Sequence, residues 1–303
     1  MVSVLRALVA GASRPAELER YLPLAGHGVL IRRLHRLVEH RLAHREHHSG
    51  VPPHPPAPGV GPLARYTMTE AGLRLIDVAD TAAHWEGRWF SMIERAEEPG
   101  TRAIRHLADR RTRDILLLLA DAPRSAEALE VEISDLGRSA LRRRLRELVL
   151  GGLLQSARAA GERRFAMTPA ARNLSAVALM AARWEWRWER PEHPSPGEDL
   201  RNLLKTLAPA AGVQPSMAGT CRVQLGTDAE QTPEIYLEVR DGAIRALSTA
   251  APGQSASVIA RGSPEAWCEL LLNPEAPICA TGDRELLEEV IRALSASMTL
   301  PQA

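Results

Sequence analysis

The chain has 303 residues, 45% hydrophobic and 25% charged, which is enough apolar side chain for more than one buried core and too much for a disordered polymer. Its formal net charge of +1 hides an asymmetry: residues 1–190 hold 30 arginines against 22 acids, and residues 191–303 hold 8 basic groups against 15 acids, so any polyanion binder is expected at the N-terminal end. Three cysteines without paired or zinc-like spacing exclude a disulfide framework, no apolar run reaches the length of a membrane span, and the expectation is a cytoplasmic protein with reduced thiols, no cofactor and no metal.

The first segment, MVSVLRALVAGAS, has the outline of a signal peptide, but Arg6 interrupts its apolar run and the segment has a counterpart deeper in the chain. It reads as a first helix. At an offset of 111, Val4, Leu8, Leu18, Leu30, Leu34, Leu37, Val38 and Leu42 fall on Ile115, Leu119, Leu129, Leu141, Leu145, Leu148, Val149 and Leu153. The offset then drops to 99, where YTMT (Tyr66 to Thr69) meets FAMT (Phe165 to Thr168) and HWEGRW (His84 to Trp89) meets RWEWRW (Arg183 to Trp188). The Pro-rich insertion HHSGVPPHPPAPGVGPLA accounts for the difference.

In chain order, the first copy reads as helices over Val2–Ala10, Pro15–Leu22 and His27–Arg41, a strand pair around the insertion, and a long helix ending in the Trp motif. The second copy repeats this with helices over Thr112–Ala120, Ser125–Ile133 and Arg138–Leu150. Three helices followed by a hairpin predict a winged helix-turn-helix. An arginine-faced helix before ELVLGGLL, then a hairpin, RFAMT and a Trp-bearing helix resembles the HxlR-type transcription regulators, over about 190 residues and twice over. The resemblance implies duplex DNA as the partner. It departs from that family's pattern at Gly26 and Gly137, where a Ser N-cap is usual.

On a helical wheel, Leu141, Leu145, Leu148 and Val149 share one face, Ser139, Arg143 and Arg146 lie opposite, and Arg142 and Arg144 flank. The groove-facing candidates are therefore Arg138, Ser139, Arg142, Arg143 and Arg146, matched in the first copy by His27, Gly28, Ile31, Arg32 and His35. Wing candidates are Arg158, Arg163 and Arg164, with Arg45 and Arg65 as weaker equivalents. A solvated helix face is the ordinary explanation of such a charge run. Only Glu147 supplies an acid inside it, which weakens that explanation. Near-exclusive use of arginine suits phosphate and guanine forks; it also follows from GC-rich coding.

The i, i+4 pairs Trp85/Trp89 and Trp184/Trp188 suit either packing between the long helices or the lining of a site for a flat ligand, with Trp186 off that face. His40, His44, His47, His48 and His54 form a polar patch, and His40/His44 have metal-ligand spacing without a third partner.

RPEHPSPGE reads as a linker. Beyond it come an amphipathic helix (Asp199 to Leu207), strands over Gly219–Leu225, Glu234–Val239 and Ala243–Ser248 with a hairpin turn at RDG, then strand, helix, strand and a closing helix that Asp283 can cap. The segment VIARGSPEAWCELLLNPEAPICATGDRELLEEVIRAL resembles sterol carrier protein type 2-like domains. That resemblance implies an apolar tunnel for a hydrophobic small molecule, with Trp267, Leu271, Leu287, Val290, Ile291 and Leu294 as candidate lining residues. The shorter PEAPICATG connection also allows a domain that serves only for homodimerisation.

The expected fold is thus α+β: two winged helix-turn-helix repeats (1–98 and 99–190), a linker (191–198), and a sterol-carrier-like α/β sandwich (199–303). The chain carries no G-x-S-x-G elbow, P-loop, H-E-x-x-H or Gly-rich dinucleotide fingerprint, so no enzyme is expected. The leading expectation is a DNA-binding transcription regulator modulated by a hydrophobic effector. Two alternatives stay open: a sequestering, self-resistance protein that uses winged helices as scaffold, and an enzyme acting on DNA bases.

Overall fold

The computed structural model describes residues 2–47, 64–90, 99–159, 161–188, 196–226, 232–249 and 255–298. The Pro-rich insertion, His48, His54 and most of the expected linker lie outside them. The described residues up to Thr81 form one compact unit and those from Ala82 onward another. No helix is long and apolar enough to cross a membrane, among the described residues.

In the first unit, α1 (Val2–Val9), α2 (Pro15–Tyr21) and α3 (His27–Glu39) precede an antiparallel pair, β1 (Ala43–His47) and β2 (Ala64–Met68), and then α4 (Glu70–Phe90) as far as Thr81. This is a helix-turn-helix domain with a hairpin. Its core is Val4, Leu5 and Leu8 of α1, Leu18 of α2 and Leu30, Leu34 and Leu37 of α3, closed by Leu42, Tyr66 and Val78. The three leucines of α3 recur at helical spacing on one face, so the rest of that helix is left to solvent.

The second unit holds the end of α4, from Ala82, and then α5 (Thr101–Ala108), a helix the sequence reading does not place. The same element order then returns: α6 (Arg110–Leu118), the short β3 (Arg124–Ser125), α7 (Ala126–Glu132), α8 (Arg138–Leu150), β4 (Leu154–Ala159), β5 (Glu162–Met167) and α9 (Pro169–Trp188). α7 and α8 begin and end 111 positions after α2 and α3. The local hydrogen bonds follow the same offsets. Leu42 N–H donates to the Leu37 carbonyl and Leu153 N–H to that of Leu148, Thr69 and Thr168 N–H donate to the carbonyls of Leu42 and Leu153, and the Thr69 and Thr168 hydroxyls donate to those of Arg41 and Gly152. Even β3 has a trace in the first unit, where Tyr66 N–H reaches the Ser13 carbonyl at 2.7 Å in the place of the Arg124 and Phe165 pairing.

One equivalent pair differs in strain. The turn after α3 puts Arg41 at φ 55°, and the turn after α8 puts Gly152 at φ 73°. Only glycine occupies that region without a Cβ clash. Arg41→Gly should therefore raise the stability of the first unit by about 0.5–1 kcal/mol, read as a higher denaturation midpoint at unchanged m; an unchanged or lower midpoint would show that Arg41 contributes something a glycine cannot.

After α9 come α10 (Pro196–Leu207), a 3₁₀ turn (Ala208–Ala210), β6 (Gly219–Leu225), β7 (Glu234–Arg240), β8 (Ala243–Leu247), β9 (Val258–Gly262), α11 (Pro264–Leu272), β10 (Cys279–Gly282) and α12 (Arg284–Met298). The five strands form one sheet in the order β10-β9-β6-β7-β8, antiparallel throughout except for the parallel β6–β9 pair. Asp241 and Gly242 both take positive φ, the conformation of a tight I′ hairpin turn. Asp283 caps α12, its carboxylate accepting from Leu286 N–H at 3.1 Å.

Alternation along β6 and β7 buries Cys221, Val223, Leu225, Ile235, Leu237 and Val239 against the helices. The other face is polar and internally paired. Arg222 donates both Nε and Nη2 to Glu234, Gln224 bridges Glu234 and Arg261, and the Tyr236 hydroxyl donates to Glu234. Burial pushes the Cys221 thiol up to about 12 and Cys268 up as well, which makes both inert packing residues.

α9 decides how the second unit is assembled. Its first half contributes Ala170, Ala171, Leu174 and Val177 to the core of residues 82–177. Its second half contributes Leu179 and Trp186 to the core around the five-stranded sheet. Asn173 donates to the Ser297 carbonyl of α12, and Arg183 pairs with Glu269 of α11 at 2.7 Å. The segments 99–190 and 199–303, expected as separate domains, therefore share a helix and form one unit, and α10 starts at Pro196, inside the expected linker.

Candidate nucleic-acid interface

α8 is fixed by its apolar side. Leu141, Leu145 and Leu148 are each 1% exposed and sit in the core with Leu129 of α7 and Ile115 of α6. The opposite face carries the arginines, and the structure separates them by partner. Arg138 lies 3.5 Å from Glu127 and 3.4 Å from Glu130, and Arg142 lies 3.2 Å from Glu127. Both acids come from α7, so the run is less lopsided than α8 alone suggests. The backbone N–H of Glu127 and these two arginines hold the Glu127 carboxyl below the usual range.

Arg144 is an anchor. It is 25% exposed, pairs with Asp109 and with Glu147, and donates to the Thr112 hydroxyl at 2.9 Å. Asp109 is the N-cap of α6, accepting from the N–H groups of Arg111 and Thr112, so Arg144 locks α8 to the start of α6. Arg143 and Arg146 remain for a partner. Arg143 is 74% exposed with, among the described residues, only Glu147 in ion-pair range, at 3.8 Å. Arg146 is exposed and meets the Arg142 carbonyl through Nε at 3.4 Å, with no carboxylate in ion-pair range among the described residues.

The hairpin extends this surface. Arg158, Arg163 and Arg164 are all exposed, and Arg158 and Arg163 are paired directly across β4 and β5. Like charges opposite one another cost stability in an isolated hairpin and suit an external anion. Arg163 donates to Ser156 at 2.9 Å and lies over the Phe165 ring, while Arg164 lies 3.4 Å from Glu162.

In the first unit, α3 presents His27, Arg32, His35 and Arg36 to solvent, with Ile31 half-buried. His27 pairs with Glu19 of α2, the counterpart of Arg138 with Glu130. Arg45 and Arg65 are exposed on the hairpin, Arg65 donating weakly to the Ser13 hydroxyl at 3.4 Å. Both α3 and α8 begin at a glycine N-cap in extended conformation without a side-chain acceptor, so their first N–H groups are uncovered. The described members of the His patch, with every other described group, form no cluster able to hold a metal.

α5, missed in the sequence, touches the same network. Half-burial pushes the His106 imidazole down to about 4, helped by the Arg144, Arg102 and Arg105 charges. At neutral pH the folded protein keeps it uncharged, whereas the unfolded chain takes a proton at the ordinary histidine value near 6.5. Stability contributed above that value is then lost as pH falls from about 6.5 through about 4. After discounting for its partial exposure, this amounts to roughly 1–2 kcal/mol. Urea denaturation at pH 7 and pH 5 should show a smaller loss for His106→Gln than for the native chain; equal losses would sink the assignment.

The expected ligand residues divide between two cores. Trp85 is fully buried and donates its indole N–H to the Ala170 carbonyl at 2.9 Å, with the Phe90 ring 5.2 Å away and Trp89 partly buried against the same core. Trp184 and Trp188 are half-buried, and the fully buried ring of that motif is Trp186, the one expected off the packing face. Trp267, Leu271, Leu287, Val290, Ile291 and Leu294 all converge in the core around the five-stranded sheet. The Trp267 N–H donates to the Gln224 carbonyl at 3.0 Å.

No curated protein and no solved structure matches the chain. Residues 1–94 match the family described as HxlR-like helix-turn-helix, so the N-terminal part of this chain is similar to the DNA-binding domain of a family of transcription regulators.

Proposed function

We propose that the protein is a transcription regulator that grips duplex DNA with two winged helix-turn-helix heads, α3 with its hairpin and α8 with its hairpin. A hydrophobic small molecule held by the sterol-carrier-like part would modulate it. The observation that carries this reading is the sorting of arginines on α8: Arg144 holds the helix in place, and Arg143 and Arg146 are left on the exposed side where a recognition helix meets the major groove. The like-charged pair Arg158 and Arg163 on the wing suits adjacent phosphates. The shared hydrogen-bond pattern of the two runs supports a duplication.

α9 supports the link to an effector. It packs in the core beneath α8 and in the core where the candidate ligand residues converge, so a ligand that prefers one placement of α9 would bias the head.

The test is a binding titration of the full chain with duplex DNA flanking its own gene, across a salt series and with hydrophobic cell extracts added. Affinity should fall steeply with salt, log K declining by about 0.9 per phosphate neutralised for each tenfold rise in salt, and one extract fraction should shift it. Undetectable or salt-independent binding would remove the DNA reading. Binding insensitive to every fraction would remove the effector.

A further inference from the structure

We infer that Glu127, helped by Glu130, holds Arg138 and Arg142 back from DNA phosphates, so that the second head binds unrelated sequence less tightly than its arginines allow; this rests on the reading of α8 as a recognition helix. The contacts are direct. The Glu127 carboxylate accepts from Nη2 of Arg142 at 3.2 Å and from Nη2 of Arg138 at 3.5 Å, while Nε of Arg138 lies 3.4 Å from Glu130. The Nε and Nη2 edge of Arg138, a fork that suits a phosphate or a carboxylate, is therefore turned to two carboxylates of its own chain.

The two heads, compared at the fixed offset, separate this pairing from ordinary helix-start chemistry. The first head has Ala16 at the position of Glu127 and Ile31 at that of Arg142. Acid and arginine are thus both present in one head and both absent from the other. Glu130 and Arg138 correspond to Glu19 and His27, which also pair. An acid in a first turn suits the helix dipole, which accounts for Glu127 alone. It does not account for the arginine that arrives with it on the next helix.

The place of Glu127 gives the pairing its consequence. When a recognition helix lies in the major groove, the helix before it crosses the DNA backbone, and Glu127 stands in the first turn of that helix, α7. A carboxylate there is repelled by phosphate. Arg138 and Arg142 are 56% and 50% exposed, so an anion reaches them once it displaces Glu127. Half-exposed ion pairs add little to stability. Removing this one therefore leaves the fold intact and changes what the arginines can bind.

The experiment measures the affinity of the native full chain and of Glu127→Gln for an unrelated duplex across a salt series. The variant should bind more tightly at an unchanged melting temperature, with log K falling more steeply against log salt by about 1–2, near 0.9 for each arginine that gains a phosphate. Glu132→Gln, at the end of the same helix, removes an equal charge from beside Arg124 and should gain markedly less. In a chain already carrying Arg138→Gln and Arg142→Gln, Glu127→Gln should gain no more than Glu132→Gln does. A gain that persists in that background is a general effect of charge and overturns the inference. An unchanged slope overturns it as well, and so does weaker binding by Glu127→Gln, which would make Glu127 a support that aims the arginines at DNA. A native chain that binds no duplex overturns the recognition-helix reading itself.

Discussion

Arg143→Ala combined with Arg146→Ala should, on the proposed DNA reading, lower affinity for duplex DNA by about 30-fold or more, at about 1–3 kcal/mol for each arginine, and leave thermal stability within about 0.5 kcal/mol of the native chain. Neither side chain is buried, and among the described residues each makes one weak contact. Arg144→Ala should do the reverse. It removes a partly buried guanidinium from Asp109, Glu147 and Thr112 and takes from Asp109, the N-cap of α6, the cation it pairs with. Its effect should therefore be mainly a loss of stability, of roughly 1–2 kcal/mol. Denaturation and fluorescence anisotropy on the same variants separate the two roles. If Arg144→Ala and the double variant lose affinity equally at equal stability, the division of the cluster is wrong.

Trp186→Ala should destabilise the second unit by about 3–5 kcal/mol, the cost of emptying a fully buried indole site. Trp184→Ala, on the half-buried side of the same helix, should cost much less. The two indoles of this core also differ in their N–H groups. That of Trp267 donates to the Gln224 carbonyl, while that of Trp186 is buried with no acceptor among the described residues. Removing an unpaired polar group recovers its desolvation penalty, and removing a paired one strands its partner. Trp186→Phe should thus be better tolerated than Trp267→Phe by about 1–2 kcal/mol. Urea denaturation followed by far-UV dichroism checks the order; a Trp184→Ala loss as large as that of Trp186→Ala would refute the packing assignment.

Much of the local architecture is legible because the same element order recurs at a fixed offset. Leucines at helical spacing and a fixed offset locate α2, α3, α7 and α8 to within two residues, since both the buried face and the turn chemistry are local properties. The register of α8 was legible for the same reason, and Arg144 falls on the flank that the wheel assigns it. Its partner Asp109 was not, because that pairing spans a fold rather than a turn. Nor was the neutralisation of Arg138 and Arg142 by Glu127 and Glu130, which lie on a helix of their own.

α5 escaped notice as a short helix between two conspicuous copies, although Ala103 and Leu107 carry its apolar side. The Trp motif misled because an i, i+4 pair defines a face without saying which body it meets. α9 is apolar on more than one side, with Leu174 and Val177 turned to one core and Leu179 and Trp186 to another. A helix of that kind is buried on several sides.

By itself, then, the sequence determined most of the helices and strands, the leucine faces and the candidate arginines, since these depend on periodicity and spacing along the chain. Only the tertiary structure decided which arginines are anchors and which are free, that Trp186 is the buried ring, and that α9 serves two cores. Each of those depends on which distant residues share a space, and burial and ion pairing are set by neighbours in space rather than in sequence.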